Sequence, residues 1–340
     1  MKLPTDAVIA VTYKCNSKCV MCDIWKKPVC DEIEPQSYAK LPSSLKYINV
    51  SGGEPFLRKN LPEVITVLSE TCNNPRIGIS TNGLFTNRIN EHMETILSNG
   101  IKNVSVNVSV HGIGEIHDRV EGIKDAFEKA INTVHILKEI GVKDIGIAYT
   151  ASNQNINQLS KVIGLAKKLD VQYTFAGIAH RSELMFGMNN EPIADLEELG
   201  DQLEKLTKDH LKSFYPKDWF RAYIDSGNYY YAKTGKRKIQ CGAGTDFFFM
   251  TPNGDIHPCN ILNWNFGNIT NQTFDEIWGS KEANEFRNKV NINNCPNACW
   301  MLCTVFPHMR QNALSVIKWI LTNKFKVNVG MNFTPVQYEE

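Results

Sequence analysis

The sequence has almost no net charge, no secretory leader and no apolar run long enough to cross a membrane. Its 37 Lys and Arg against 36 Asp and Glu leave a formal charge of +1. That balance gives no electrostatic case for a nucleic-acid partner, which a strongly basic chain would bring. Residues Met1 to Asp6 are too polar for a signal peptide. The ten cysteines therefore point to metal ligation in a reducing, cytoplasmic setting rather than to a disulfide framework. The apolar run Ala313, Leu314, Val316, Ile317, Ile320, Leu321 has helical spacing, but with Lys318, Lys324 and Lys326 around it it is too short and too charged to span a bilayer. Docking against the rest of the fold is its expected use, and a membrane-surface helix is the alternative. With 340 residues, 42% of them apolar, the chain has material for about two domains with ample cores.

What is present is concentrated in a few places. Cys15, Cys19 and Cys22 crowd one loop in a C-x3-C-x2-C spacing directly after the strand-like run Ala7 to Thr12, with no fourth cysteine at comparable distance. Three thiolates can hold three irons of a cubane and leave the fourth open to a substrate or cofactor, whereas a structural zinc site closes all its positions. A zinc knuckle completed by Cys30 or a histidine is the bland alternative. A second strand-like run, Tyr47 to Val50, ends in Ser51-Gly52-Gly53-Glu54-Pro55. Its glycines let backbone approach a ligand closely. The position after the second strand puts this turn on the same barrel rim as the cysteine loop.

Along the chain, strands alternate with amphipathic helices, the pattern of βα units around a parallel sheet. The strands are expected at Val8–Thr12, Tyr47–Val50, Ile77–Ser80, Val104–Val110, Ile145–Tyr149 and Val171–Ala176. In the fourth, Val104, Val106, Val108 and Val110 alternate with Ser105, Asn107 and Ser109, so the valines pack outward under helices and the small polar groups point inward. Together with Asn49, Gly78, Ser80 and Asn82 they suggest a cavity inside the barrel.

Through Thr12 to Cys22 and Gly52 to Pro55 the chain resembles the radical S-adenosylmethionine (SAM) enzymes, and the resemblance covers nearly its whole length. It implies an α/β fold, a partial (β/α)6 TIM-like barrel over residues 1–235. In that family the three cysteines hold a [4Fe-4S] cluster whose open iron chelates the amino and carboxylate groups of SAM. Gly52, Gly53, Glu54 and Pro55 are then expected beside the amino group, and Met21 stands where many members place an aromatic residue near the adenine. Ser80, Asn82 and Ser109 are the candidate contacts to the ribose and carboxylate of SAM. His111 occupies a place where many relatives have aspartate. His117-Asp118-Arg119 is given no chemistry, since a helix-capping Asp and a solvated Arg account for it.

Beyond a helical stretch at Ala194–Leu211 and an aromatic-rich segment from Phe214 to Tyr231, a boundary is expected near Gly235 to Lys238. The turn Asn253-Gly254 reads as a β-hairpin that folds Cys259 back toward Cys241. Cys295, Cys299 and Cys303 repeat at four-residue steps, a spacing that places thiolates on one face of a helical turn. Five such cysteines can close a second cluster with one to spare, and a four-thiolate zinc is the alternative. Gly267-Asn268-Ile269 and Phe274 to Trp278, with Cys241 and Cys259, resemble the SPASM or twitch extension of radical SAM enzymes. That implies a small α+β domain over 236–310 with an auxiliary [4Fe-4S] cluster on Cys241, Cys259, Cys299 and Cys303, followed by a C-terminal amphipathic helix and tail over 311–340. Cys295 is left as the spare thiol and candidate hydrogen-atom donor.

The resemblance implies reductive cleavage of SAM to a 5'-deoxyadenosyl radical that abstracts hydrogen from a substrate in the barrel, with an electron from a reductant such as flavodoxin or ferredoxin. Cys15 lies so near the N-terminus that no leader-peptide-binding domain fits before it, which favours a small molecule or glycan. Oxidation or epimerisation of a sugar-like molecule is therefore the expected reaction, with maturation of a ribosomally made peptide as the first alternative. A non-catalytic iron-sulfur electron-transfer protein is the rival from another class.

Overall fold

The central strand is the most apolar one. In the computed structural model, which describes residues 2–336 apart from 29, 192, 238, 292–293 and 297–298, β1 (Asp6–Thr12) is buried along its whole length. A strand covered on both faces reads as a continuous apolar run, here Ala7-Val8-Ile9-Ala10-Val11. Parallel neighbours follow in chain order: β2 (Tyr47–Gly52), β3 (Arg76–Thr81), β4 (Val104–Ser109), β5 (Ile145–Ala151) and β6 (Gln172–Ile178). All six expected strands are present, with ends shifted by at most two residues. On the far side of β1 the sheet continues through β7 (Phe247–Met250), parallel to it, then β8 (Asp255–His257) and β9 (Gly267–Asn268), both antiparallel. Among the described residues the order is β6-β5-β4-β3-β2-β1-β7-β8-β9, a partial (β/α)6 barrel whose sheet runs on into the second domain.

The crossovers are α1 (Leu61–Thr71), α2 (Thr86–Ser98), α3 (Glu115–Glu121) with α4 (Ala126–Glu139), and α5 (Leu159–Lys168). Each buries one stripe: in α1, Leu61, Val64, Ile65 and Leu68 face the sheet, with Pro62 in the first turn, where its missing N–H costs nothing. After β6 come α6 (Leu196–Lys212) and α7 (Pro216–Thr234). The aromatic-rich segment is thus a helix, with Pro216 in its first turn and Gly235 in the left-handed region at its end, the usual stop signals.

The remaining helices are α8 (Phe274–Trp278), α9 (Lys281–Lys289), α10 (Leu302–Gln311) and α11 (Ala313–Asn328). A capping box between Thr273 and Glu276 starts α8. The valines of β4 pack in one core with Phe248, Phe266, Trp278 and Phe286 from the second domain. A smaller cluster joins α7, α10 and α11 through Tyr223, Trp300, Val305, Val316 and Ile320. One face of α11 docks as expected, through Val316, Ile320, Asn323 and Val327.

One expectation fails. Cys295, Cys299 and Cys303 do not share a helical face: Cys303 is the second residue of α10, whereas Cys295 and Cys299 lie in non-helical backbone before it. Pro296 follows Cys295 and biases it away from the α region, so a four-residue period here carries no helix.

Candidate active site

The cysteine loop leaves the end of β1 and is clamped from two sides. On one side, the amide N–H groups of Gly53 and Glu54 donate to the carbonyls of Thr12 and Lys14, each at 2.8 Å. This approach explains the glycine pair, since a Cβ on Gly53 would meet the Lys14 carbonyl oxygen at 2.2 Å, and one on Gly52, whose φ is +124°, would meet that of Thr12 at 2.2 Å. Both are backbone atoms that cannot give way. On the other side, the loop is bonded to the end of α3, where Lys18 N–H donates to Glu121 O and Val20 N–H to Val120 O, both at 2.9 Å.

Glu54 is fully buried. Its carboxylate accepts from Thr81 Oγ1 at 2.9 Å, Asn82 N–H at 2.8 Å and Phe56 N–H at 3.1 Å, tying the end of β2 to that of β3. Burial pushes this carboxyl up to about 7 against those hydrogen bonds. Asn82 Nδ2 donates to Asn16 Oδ1 at 2.8 Å and stands 4.0 Å from Cys15 Sγ. Pro55 and Met21 are buried beside the loop, and Ser80 Oγ faces Asn49 Oδ1 at 3.3 Å inside the barrel. Ser109 ends β4, and neighbouring His111 turns inward. The expected rim residues thus gather at the C-terminal ends of β1 to β4.

Sequence reasoning missed the group that closes this site from below. Glu121 is fully buried; it accepts from Ser17 Oγ and from the Cys19 thiol at 3.2 Å, and its Oε1 lies 3.4 Å from His111 Nε2. Burial lowers His111 to about 3 and raises Glu121, so the imidazole is neutral. Its Nδ1 accepts from Thr150 N–H at 3.2 Å, which leaves the Nε2 proton toward Glu121. His117 Nδ1 accepts from His111 N–H at 3.0 Å. Asp118 caps the start of α4 through the N–H groups of Asp125 and Phe127, and Arg119 is exposed. Arg58, also missed, is buried and holds the Val11 carbonyl and the Tyr38 hydroxyl, each at 2.9 Å.

Burial pushes Cys15 up to about 12, Cys22 to about 11 and Cys19 well up, with Glu121 adding to all three. Surroundings so hostile to free thiolates fit a cationic iron cluster, which supplies the missing positive charge. Among the described residues no three His, Cys, Asp or Glu side chains stand close enough to hold a single metal ion.

A second group of thiols surrounds a cavity of about 250 Å³, lined by Cys241, Cys259, Cys295 and Cys299 with Arg237 and Thr304. The hairpin does bring Cys259 back to Cys241. Cys303 stands between this group and the barrel: Cys259 and Cys241 add to the burial that pushes its thiol up, and it also lines the barrel cavity of about 400 Å³ together with Asn49, Ser80, Asn107 and Thr174. Cys295, expected to be the spare thiol, thus lines the auxiliary cavity, and Cys303 borders the same group of thiols. Arg237 is buried and all five of its N–H groups donate to oxygen: Ile239 O, Cys299 O, Thr304 Oγ1, Gln240 O and Thr304 O, at 2.6 to 3.1 Å. None of those acceptors is a carboxylate. A larger groove of about 1250 Å³ between α5, α6 and α7 touches none of the candidate site residues.

Comparison with known proteins agrees with this geometry. Residues 9–166 match the radical SAM superfamily and residues 241–303 the SPASM iron-sulfur cluster-binding domain. The chain is 28% identical over 300 residues to the Fe-coproporphyrin III synthase of Methanosarcina barkeri, covering 79% of this chain and 72% of that protein. It is 27% identical over 313 residues to the PqqA peptide cyclase of Bradyrhizobium diazoefficiens, covering 84% and 76%. The crystal structure of anSMEcpe with bound AdoMet and the Kp18Cys peptide superposes with a TM-score of 0.66 over 94% of this chain and 99% of that one, at 15% identity. The chain thus carries a radical SAM domain followed by a C-terminal SPASM domain, and with them the [4Fe-4S], SAM and auxiliary iron-sulfur cofactors that those domains imply.

Proposed function

We propose that this enzyme is a maturase that abstracts hydrogen from a side chain of a peptide substrate. The barrel cavity carries the reading. Inside the barrel it is lined by Asn49, Ser80, Ser105, Asn107 and Thr174; the ion pairs Arg76–Asp144 and Arg310–Asp6 and the exposed rings of Tyr47, Phe220 and Phe306 edge it at the N-terminal ends of the strands. A volume of about 400 Å³ is at the small end for ligand sites and suits one inserted side chain while the rest of a chain lies across the aromatic rim. The names of the PqqA cyclase relative and of the peptide-bound structural neighbour support peptide over the sugar-like substrate expected from sequence. The same hydroxyl and amide lining keeps a sugar-like carbinol as the second reading, since such groups recognise hydroxyls.

In this reading Cys15, Cys19 and Cys22 would hold the iron-sulfur cluster, which would supply the electron for cleaving SAM. Gly53 and Glu54 fix the loop that presents those thiols, and Asn82 and Ser109 are the proposed contacts to the cofactor's polar groups. Glu121 and His111 hold the loop from beneath, and the barrel wall keeps water from the abstraction. Cys241, Cys259, Cys295 and Cys299 would hold the auxiliary cluster, which leaves Cys303 as the thiol on the substrate side.

The test is anaerobic reconstitution with iron and sulfide, then dithionite and SAM, with 5'-deoxyadenosine followed in the presence of peptides encoded beside the gene or of sugar nucleotides. Stimulation by a peptide that loses hydrogen is expected. Stimulation by sugar nucleotides alone would move the assignment to the second reading.

A further inference from the structure

The last long helix, α11, is apolar on two faces, and only one of them is covered. Val316, Ile320 and Val327 are buried against the fold. On the opposite side Leu314, Ile317, Leu321 and Phe325 form a stripe at three-to-four spacing, with exposures of 85, 42, 58 and 68%. Isolated exposed leucines are ordinary, but a contiguous stripe of this kind marks an interaction surface.

The charge around the stripe names the occupant. From Phe286 to Tyr338 the sequence holds Arg287, Lys289, Arg310, Lys318, Lys324 and Lys326 and no acidic residue, although the whole chain is nearly neutral. Lys318 is exposed within the stripe. Lys324 Nζ donates to the carbonyls of Leu211 at 2.7 Å and Ser213 at 2.8 Å, which holds the α6–α7 turn beside α11. That turn carries Phe214 and Tyr215, 92 and 74% exposed. Among the described residues no helix is long and apolar enough to cross a membrane.

A helix face of Leu, Ile and Phe, on a helix whose own charged residues are all lysines and with exposed aromatic rings beside it, has the composition of an element that lies in the headgroup layer of a bilayer. We propose that α11, with the adjoining α6–α7 turn, seats this enzyme on a membrane surface rich in anionic phospholipid. The surface rests on observations separate from the barrel and its cofactors, so it stands or falls apart from the peptide reading.

The experiment is flotation of the reconstituted full chain with vesicles of phosphatidylcholine alone or mixed with phosphatidylglycerol. Recovery with the anionic vesicles on the order of tenfold higher is expected, because each lysine near such a surface contributes about 1 kcal/mol, and high salt should release the protein. The double variant Leu321→Gln, Phe325→Gln should lose flotation while keeping wild-type iron content and 5'-deoxyadenosine formation, since neither residue touches the site. Lys318→Glu should weaken flotation on anionic vesicles alone. Protein that stays soluble with both vesicle types overturns the proposal, as does equal binding to both. Concentration-dependent dimerisation abolished by the double variant would also overturn it, by showing that the stripe meets a second copy.

Discussion

The two thiol sites are built on opposite plans. Cys15, Cys19 and Cys22 come from eight consecutive residues whose shape is set by backbone hydrogen bonds to Gly53, Glu54, Val120 and Glu121. Cys241, Cys259, Cys295 and Cys299 come from three distant segments that meet around a cavity. The first site is local in sequence, so its failure modes are those of one loop. The second is an outcome of the whole domain's packing, so its membership cannot be read from spacing.

The largest effect that tests this contrast is at the loop itself. Replacing Cys15, Cys19 or Cys22 singly by serine should abolish 5'-deoxyadenosine formation and remove about four of about eight irons, with the auxiliary iron retained. A variant that keeps all its iron would break the separation of the two sites.

Next comes the membership of the auxiliary site. Cys295→Ser should cost the auxiliary iron and its electron paramagnetic resonance signal, while Cys303→Ser keeps both. The reverse result would restore the ligand set expected from sequence.

Gly53→Ala sharpens the claim that backbone, not cysteine spacing, shapes the loop. The added methyl meets a carbonyl oxygen at 2.2 Å, and a cost of roughly 3 kcal/mol is expected, visible as a lower denaturation midpoint of the apoprotein. An unchanged midpoint would show that the clamp is dispensable.

The smallest effect concerns pH. The Glu54 carboxyl sits at about 7 in the folded apoprotein and near its ordinary value when unfolded, so the folded state holds its proton longer. Stability from this group is complete below about pH 4.5 and falls as pH rises through 7, by up to about 3 kcal/mol. Thermal melts of the apoprotein from pH 5 to 8 should show that decline, and Glu54→Gln should flatten it. A slope unchanged in the variant assigns the decline to another group.

The strands, the cysteine loop and the hairpin at Asn253-Gly254 were legible because each has a short-range signal: alternation in β4, a continuous apolar run in β1, turn chemistry before Asp255. Helix α7 was left unassigned although its rings recur at near-helical spacing, because that spacing does not separate a core stripe from a pocket wall. Glu121 was invisible for another reason. It lies 104 residues from Ser17, and nothing near Val120-Glu121-Gly122 marks a carboxylate that will be buried under the loop; the one local hint is Gly122, whose φ is +67° and where a Cβ would meet the Lys18 carbonyl oxygen at 2.9 Å. The loss of the helical face expected for Cys295, Cys299 and Cys303 follows from Pro296, a local signal that outweighs the four-residue period.

Arg237 gives the second site an electrical asymmetry. With every thiol protonated the cavity holds the guanidinium of Arg237, with Arg287 also on its lining, and the hydrogen bonds of Arg237 are made to neutral oxygens alone. Loading iron on four thiolates releases their protons and turns the surroundings of that cation from neutral to anionic. Assembly of the auxiliary centre is thereby a neutralisation as well as a ligation, which acid conditions should oppose and which couples the maturation of this domain to the folding of the segments that carry its cysteines.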